Sequence, residues 1–451
     1  MMREMVTPII IVVYLSAVFA VGYLSRGRNL DDFHLAGRSL GKLALTGTLC
    51  ATILGASSTI GMAGLGFSRG LPGAWWMLSG TIGLGLLSLF LARKVRATGC
   101  YTLPELIGAI YGQRARTVSA ILIVLSWLGI IAAQIIASGK VLSVLFGGSQ
   151  AVYMAASTAV FVFYTAHGGQ RSVVRTDLIQ FLVVTFGLIL LLFRSLGAVP
   201  QALQGQSFPT SASMGGWEVI SMIFIVGSTY LIGPDIYSRL LSARDPNVAA
   251  RSALRAALIL APIAFVIVAL GICARSLYPH IGPEQAIPTL MMELLGPAER
   301  GLVAAALLAA FMSSADTTLL TATSILALDV YRPRSSGGER DMMKISRAGT
   351  LFVGSAALAL AVYSPEIIAT LLLAYTIFTG GMLAPVLAGF YIDRQKLTEK
   401  GALAALAGGG TTALLVGQSY PLAGVSVSAL LLIAVSFLEK KRYCKTIRLN
   451  Q

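Results

Sequence analysis

The sequence predicts an all-α membrane protein of thirteen transmembrane helices, and three observations carry that prediction. Only 12% of its 451 residues are charged and 56% are apolar, whereas an ordinary soluble domain carries about 25% charged residues. The apolar residues gather in continuous runs of about 18–25, long enough to cross a hydrocarbon core of about 30 Å as helices. Between the runs, lysines and arginines recur in every second loop, the pattern left when cytoplasmic loops retain positive charge. A β-barrel would instead show short segments of alternating polarity, and these runs are unbroken in Leu, Ala, Ile, Val and Gly.

The predicted spans are 5–25, 42–66, 73–92, 117–146, 151–168, 173–194, 216–238, 250–274, 299–330, 345–363, 366–392, 401–417 and 422–438. The first loop holds Arg26, Arg28, Arg38 and Lys42, and the second only Arg69. The third holds Arg93, Lys94, Arg96, Arg114 and Arg116, and the fourth none. The alternation continues through Arg171 and Arg175, then Arg239, Arg244, Arg251 and Arg255, to the basic tail from Lys440 onward. It places 28 of the 34 basic residues on one side. The N-terminus is therefore expected outside and the C-terminus inside, in a plasma membrane of prokaryotic type. The first run has no small-residue cleavage site and is followed by Arg26 and Arg28, so it reads as a retained helix rather than a signal peptide.

The net charge of +15 follows this loop pattern and does not point to nucleic acid. Cys50, Cys100, Cys273 and Cys444 are far apart and indicate neither a disulfide framework nor a zinc site. The sequence reads as one bundle without a soluble domain. Outer loops near 195–215 and 276–298 are long enough for short surface helices.

Gly and Ser concentrate in the second span, Thr48 to Gly64, and in the seventh, Val226 to Asp235, where Gly233 and Pro234 adjoin. Small residues in membrane helices commonly serve close packing. Interrupted segments at matching positions of two halves also point to a transporter's binding site. The two segments begin five spans apart and so run in opposite directions. Inverted five-helix repeats at 42–194 and 216–392 require that, with one leading helix at 5–25 and two trailing helices within 401–438.

Ionisable groups deep in a membrane are costly and functional by default. Asp316 lies mid-span in the ninth helix, where Ser313, Asp316 and Thr317 share one face and offer hard oxygen ligands to a cation such as Na+. The competing reading is that such hydroxyls bond back to the i−4 carbonyl. Asp177 opens the sixth span, Asp235 follows the seventh-span break, and Gln134 and Lys140 lie on the fourth. His34, His167 and His280 fall in or beside loops. No catalytic constellation, ATP-binding G-x-x-x-x-G-K-[ST] loop or organic-cofactor motif is present, and an enzyme is not expected.

Several ordered stretches resemble the sodium:solute symporter family across nearly the whole chain. They are Asp32-Phe33-His-Leu-Ala36-Gly37-Arg38-Ser39-Leu40, Tyr101 to Glu105 with Tyr111-Gly112, and Gly168-Gly169 leading to Thr176-Asp177 and Gln180. Asp235 to Arg239 with Ser242 to Asp245, Ser313-Ser314, and Thr398 to Ala402 complete the series. The resemblance implies the inverted-repeat fold of the leucine transporter and coupling of a small solute to Na+. It implies a sodium site at the Ala51, Leu54 and Ala310 carbonyls and the Ser313 and Ser314 hydroxyls. A second cation site in some members is matched by Asp177, Ser313, Asp316 and Thr317; Asp316 departs from the neutral residue of many relatives. Solute contacts are implied at Ser57, Ser58, Trp75, Trp76, Gln134 and Tyr230. The Ala56-Ser57-Ser58 run is closer to carriers of vitamins and carboxylates than to sugar carriers. The expected partners are thus Na+, a small organic solute (carboxylate, vitamin or amino acid) and the bilayer, with no nucleic acid and no obligate protein partner. Proton coupling on the same fold, or a transporter-like sensor, is the alternative.

Overall fold

The computed structural model describes residues 2–27, 29–334, 338–363, 366–417 and 420–449, so Arg28 of the first predicted loop lies outside the described residues. Among these the chain is helical throughout, with two isolated bridges and no extended strand. We label the long helices α1 (Met2–Leu24), α2 (Lys42–Ile53), α3 (Ser57–Arg69), α4 (Leu71–Ala97) and α5 (Gln113–Phe146). Then follow α6 (Gln150–Arg194), α7 (Gly216–Ile232), α8 (Pro234–Leu241), α9 (Pro246–Leu277) and α10 (Pro297–Tyr331). The last four are α11 (Glu339–Tyr363), α12 (Ile367–Tyr391), α13 (Glu399–Val416) and α14 (Ala423–Leu449).

Ten helices among the described residues are long and apolar enough to cross a membrane, or eleven when α2 and α3, bent by 63° at their junction, form one span. The thirteen expected spans therefore persist as helical segments, but thirteen crossings are not reached on length and hydropathy. Two predicted boundaries explain the difference. The stretches 151–168 and 173–194 form one element, α6, interrupted at Gly169 alone. The stretch 401–417 is helical, but α13 has only 18 residues and carries Glu399 and Lys400 in its first turn.

Burial separates centre from rim. Of the most apolar window of α10, 94% is buried, against 17% in α1 and 22% in α14. Exposed apolar side chains such as Val12, Phe186, Leu258, Phe352, Leu430 and Phe437 lie on the outer helices, as a surface facing lipid requires. The loops near 195–215 and 276–298 carry the expected short helices, Val199–Leu203 and Ala286–Leu294.

Gly169 is where α6 can fold only with glycine. Its φ of 66° and ψ of −175° belong to a region essentially closed to other residues. A Cβ there would also lie 2.6 Å from Phe33 Cδ2. Gly169→Val is expected to cost about 1–3 kcal/mol from backbone strain alone, with the clash against Phe33 added. A thermal melt of the purified variant in detergent should show a lower Tm; an unchanged Tm would contradict this account of the kink.

Candidate functional site

The junction of α2 and α3 lies in the middle of the bundle. At Leu54 the backbone leaves the helix (φ −78°, ψ 65°), with its N–H still bonded to the Cys50 carbonyl at 3.0 Å. Peptide groups near the break find partners on two other helices. The Ala56 N–H donates to Gln134 Oε1 of α5 at 2.8 Å. The Ser313 hydroxyl of α10 donates to the Ala51 carbonyl at 2.9 Å, and Ser314 donates to the Thr52 carbonyl at 2.8 Å. Ser58 closes the turn by donating to the Ile53 carbonyl at 2.6 Å. Gly55 permits the approach, because a Cβ there would stand 2.4 Å from Ser314 Oγ and 2.9 Å from Gln134 Oε1.

Ser313 Oγ also lies 3.1 Å from the Ala310 carbonyl. The Ala51 carbonyl, the Ala310 carbonyl and the Ser313 hydroxyl thus gather at one point. These are three of the five oxygens expected to hold sodium. The other two are adjacent: Leu54 forms the break, and Ser314 sits one residue along, turned to Thr52.

A second buried polar cluster lies beside this point. Thr48 donates to Asp177, and Thr165 donates to Asp316 Oδ1 at 2.9 Å. Thr317 donates to the Ser313 carbonyl at 2.8 Å. Among the described residues Asp177 Oδ1 and Asp316 Oδ2 have no hydrogen-bond partner. Between Asp177 and Thr317 stands a residue that the charge pattern assigned to a loop. Arg239 is fully buried, donates to Thr317 and to Gln170, and lies 3.6 Å from Asp177 Oδ2. It is not one of the expected cytoplasmic loop cations: α8 continues past Pro234 and carries Arg239 into the core.

On the other side of the break lies a narrow cavity. Thr52, Gly55 and Ser57 of the broken helix line it, with Trp127 and Gln134 of α5, Thr229 and Tyr230 of α7, Asp235 of α8, Ser314 and Thr318 of α10, and Tyr375 of α12. Of the expected solute residues, Ser57, Gln134 and Tyr230 face it. Ser58 is occupied by the Ile53 carbonyl. Trp76 is stacked behind Tyr375 at a centroid distance of 6.1 Å. Trp75 lies apart, stacked on Phe208 and donating to the Pro209 carbonyl at 2.9 Å. Sequence reasoning missed Trp127, Tyr375 and Asp235 as lining residues. Asp235 was legible as the first ionisable group after the Gly233-Pro234 break; the aromatics had no local signal.

Farther along α3, α5 and α12 opens a wider cleft lined by Gly61, Gly64, Lys140, Glu284 and Ile368. Lys140 and Glu284 pair across it, and Glu284 also accepts the Ile367 N–H at 3.0 Å. The opposite end of the bundle is sealed by several of the recurrent motifs. Leu40 N–H bonds the Ser242 carbonyl at 3.1 Å, and Arg244 N–H bonds the Leu40 carbonyl at 3.0 Å. Arg171 pairs with Asp32 at 2.9 Å, and Arg116 with Asp329 at 2.7 Å.

A sequence model described as "Sodium:solute symporter family" matches residues 33–409. The sodium/pantothenate symporter of Escherichia coli is 28% identical over 98% of this chain and 97% of its own. The sodium/proline symporter of the same organism is 26% identical over 91% of this chain and 88% of its own. Among solved structures, a Na+-coupled sialic acid symporter in a substrate-bound outward-open state aligns with a TM-score of 0.82 at 17% identity, covering 96% of this chain and 98% of that one. MhsT in complex with L-phenylalanine aligns with a TM-score of 0.61 at 13% identity, over 89% and 98%. These structural likenesses establish the fold.

Removing one partner of a buried ion pair strands the other, at a cost of about 3–5 kcal/mol. Arg239→Ala should therefore lower the Tm of the purified protein strongly. Joining it to Asp177→Asn should recover part of the loss in a double-mutant cycle. Strictly additive losses would mean that the two side chains do not interact.

Proposed function

The chain belongs to the sodium:solute symporter family as a multi-pass, sodium-coupled carrier, and on that premise we propose how its residues perform the coupling. Sodium binds where α2 breaks against α10, at the carbonyls of Ala51, Leu54 and Ala310 and the hydroxyls of Ser313 and Ser314. The observation that carries this reading is Ser313 Oγ within 3.1 Å of both the Ala51 and Ala310 carbonyls. Unwound carbonyls beside helical hydroxyls are how such folds bind Na+. The set Asp177, Ser313, Asp316 and Thr317 is the second cation locus to be tested, with Arg239 as a fixed positive charge against it.

The solute binds in the adjoining cavity at Ser57, Gln134 and Tyr230. Relatives named for pantothenate and for proline frame the class as a small organic solute bearing a carboxylate. Inverted repeats at 42–194 and 216–392 are supported by their first helices: the α2–α3 and α7–α8 breaks both line one cavity. The loop alternation supports an outer N-terminus, and puts the Lys140–Glu284 end outside and the sealed Leu40–Ser242 end at the cytoplasm. Na+ entering with the membrane potential supplies roughly 2.3 kcal/mol per 100 mV for uptake by alternating access.

The joint variant Ser313→Ala and Ser314→Ala should abolish Na+-dependent uptake in proteoliposomes while the protein remains in the membrane. Na+ dependence at the wild-type level in that variant would remove the site assignment.

A further inference from the structure

The cavity beside the sodium locus has a charge character that no relative's name discloses. Asp235 is the single ionisable carboxylate lining it, and no lysine, arginine or histidine does so. The nearest candidate counter-charge on its own helix is Arg239, one turn along α8. That guanidinium is committed to Asp177, Thr317 and Gln170. Among the described residues Asp235 takes part in no salt bridge within 4.0 Å, and it is half-buried. The same cavity is lined by three large aromatic side chains from three helices: Trp127, Tyr230 and Tyr375, each less than a tenth exposed.

Aromatic faces beside a carboxylate suit a cation whose hydration shell has been removed. Such faces attract ammonium groups, and the attraction grows as water is excluded. A solute that is only an anion meets the wrong field here. The start of α8, which could otherwise attract a solute carboxylate, already carries one in its first turn as Asp235. The positive field available to an anion lies at the other wall, where α3 begins at Ser57 and the proposed sodium adjoins.

We propose that the solute is an ammonium carboxylate, with its amine held by Asp235 and the aromatic group and its carboxylate directed to the α2–α3 break. The inference rests on the reading of this cavity as the solute site. Aromatic enclosures take alkylated ammonium groups, so the solute class narrows from carboxylates in general to zwitterions with a secondary, tertiary or quaternary nitrogen. Asp235 then determines specificity, because it distinguishes a positively charged nitrogen from a carbon of the same shape.

The test uses matched probes on the purified full chain, read by thermal shift and by uptake in proteoliposomes with and without Na+. Glycine betaine is paired with 3,3-dimethylbutanoate, and L-proline with cyclopentanecarboxylate; pantothenate serves as an anion without an amine. The expected result is Na+-dependent protection by at least one ammonium probe, about tenfold tighter than its carbon isostere. Asp235→Asn should then shrink that preference toward parity, with the Na+-induced shift reporting that the variant is folded. Protection by pantothenate or a carbon isostere equal to or better than that by the ammonium probes would overturn the proposal. So would protection by no ammonium probe, or an unchanged preference in Asp235→Asn. A wild-type protein whose melt ignores Na+ would instead overturn the sodium site, so the two failures are distinguishable.

Discussion

A helix can be interrupted inside a bilayer only if the peptide groups near the interruption are satisfied by protein, and at Leu54–Ala56 they are satisfied by two other helices. Gln134 takes the Ala56 N–H, while Ser313 and Ser314 take the carbonyls of Ala51 and Thr52. These bonds hold the broken helix against α5 and α10, the most deeply buried element of the bundle. The groups that make the break tolerable are therefore also those that create the polar site. An uninterrupted α2–α3 would have no carbonyls to offer, and an α10 without hydroxyls would leave them unpaired in hydrocarbon.

The ends of the bundle are held by contacts of different kinds. At one end the loop at Leu40 pairs backbone to backbone with Ser242 and Arg244, and ion pairs join Asp32 to Arg171 and Arg116 to Asp329. At the other, a wide cleft is spanned by Lys140 and Glu284, both about a quarter exposed or less. Several contacts must part together at the first end. At the second, Glu284 makes the clasp, pairing with Lys140 within reach of water, where ion pairs are weak, and accepting the Ile367 N–H.

Much of this was legible in the sequence. Hydrophobic runs and loop charge located the helices, since the bilayer imposes both and neither depends on tertiary contacts. The predicted breaks at the second and seventh spans were signalled by Gly, Ser and Pro, whose local chemistry is visible without a fold. What stayed hidden depended on how far an element continues. Gly169 reads as part of a loop between two spans, yet it is one residue of irregular backbone within α6. Arg239 looks like a loop cation until α8 is seen to extend to Leu241; the charge count was insensitive to this single residue. Trp127 and Tyr375 have no pattern that distinguishes a cavity wall from ordinary core, because their role arises only where α5 and α12 meet.

The proposed ion and solute loci adjoin on the same two helices, and Ser314 belongs to both. On the broken helix, Ala51 presents its carbonyl to the proposed sodium locus, and Thr52 lines the cavity. On α10, Ser313 Oγ bonds the Ala51 carbonyl, while Ser314, one residue on, lines the cavity and also completes the proposed sodium set. Moving either helix to suit one ligand necessarily moves the wall of the other site. The longer connection runs through Thr317, which donates to the Ser313 carbonyl and receives Arg239. Arg239 ties α8 to α10 and α6, and α8 carries Asp235 into the cavity. Arg239 thus fixes α8, which lines the proposed solute cavity, to α10, which lines the proposed ion site. On the proposed assignment coupling needs no distant relay: the two sites share helices, and Ser314, which satisfies the broken backbone, belongs to both.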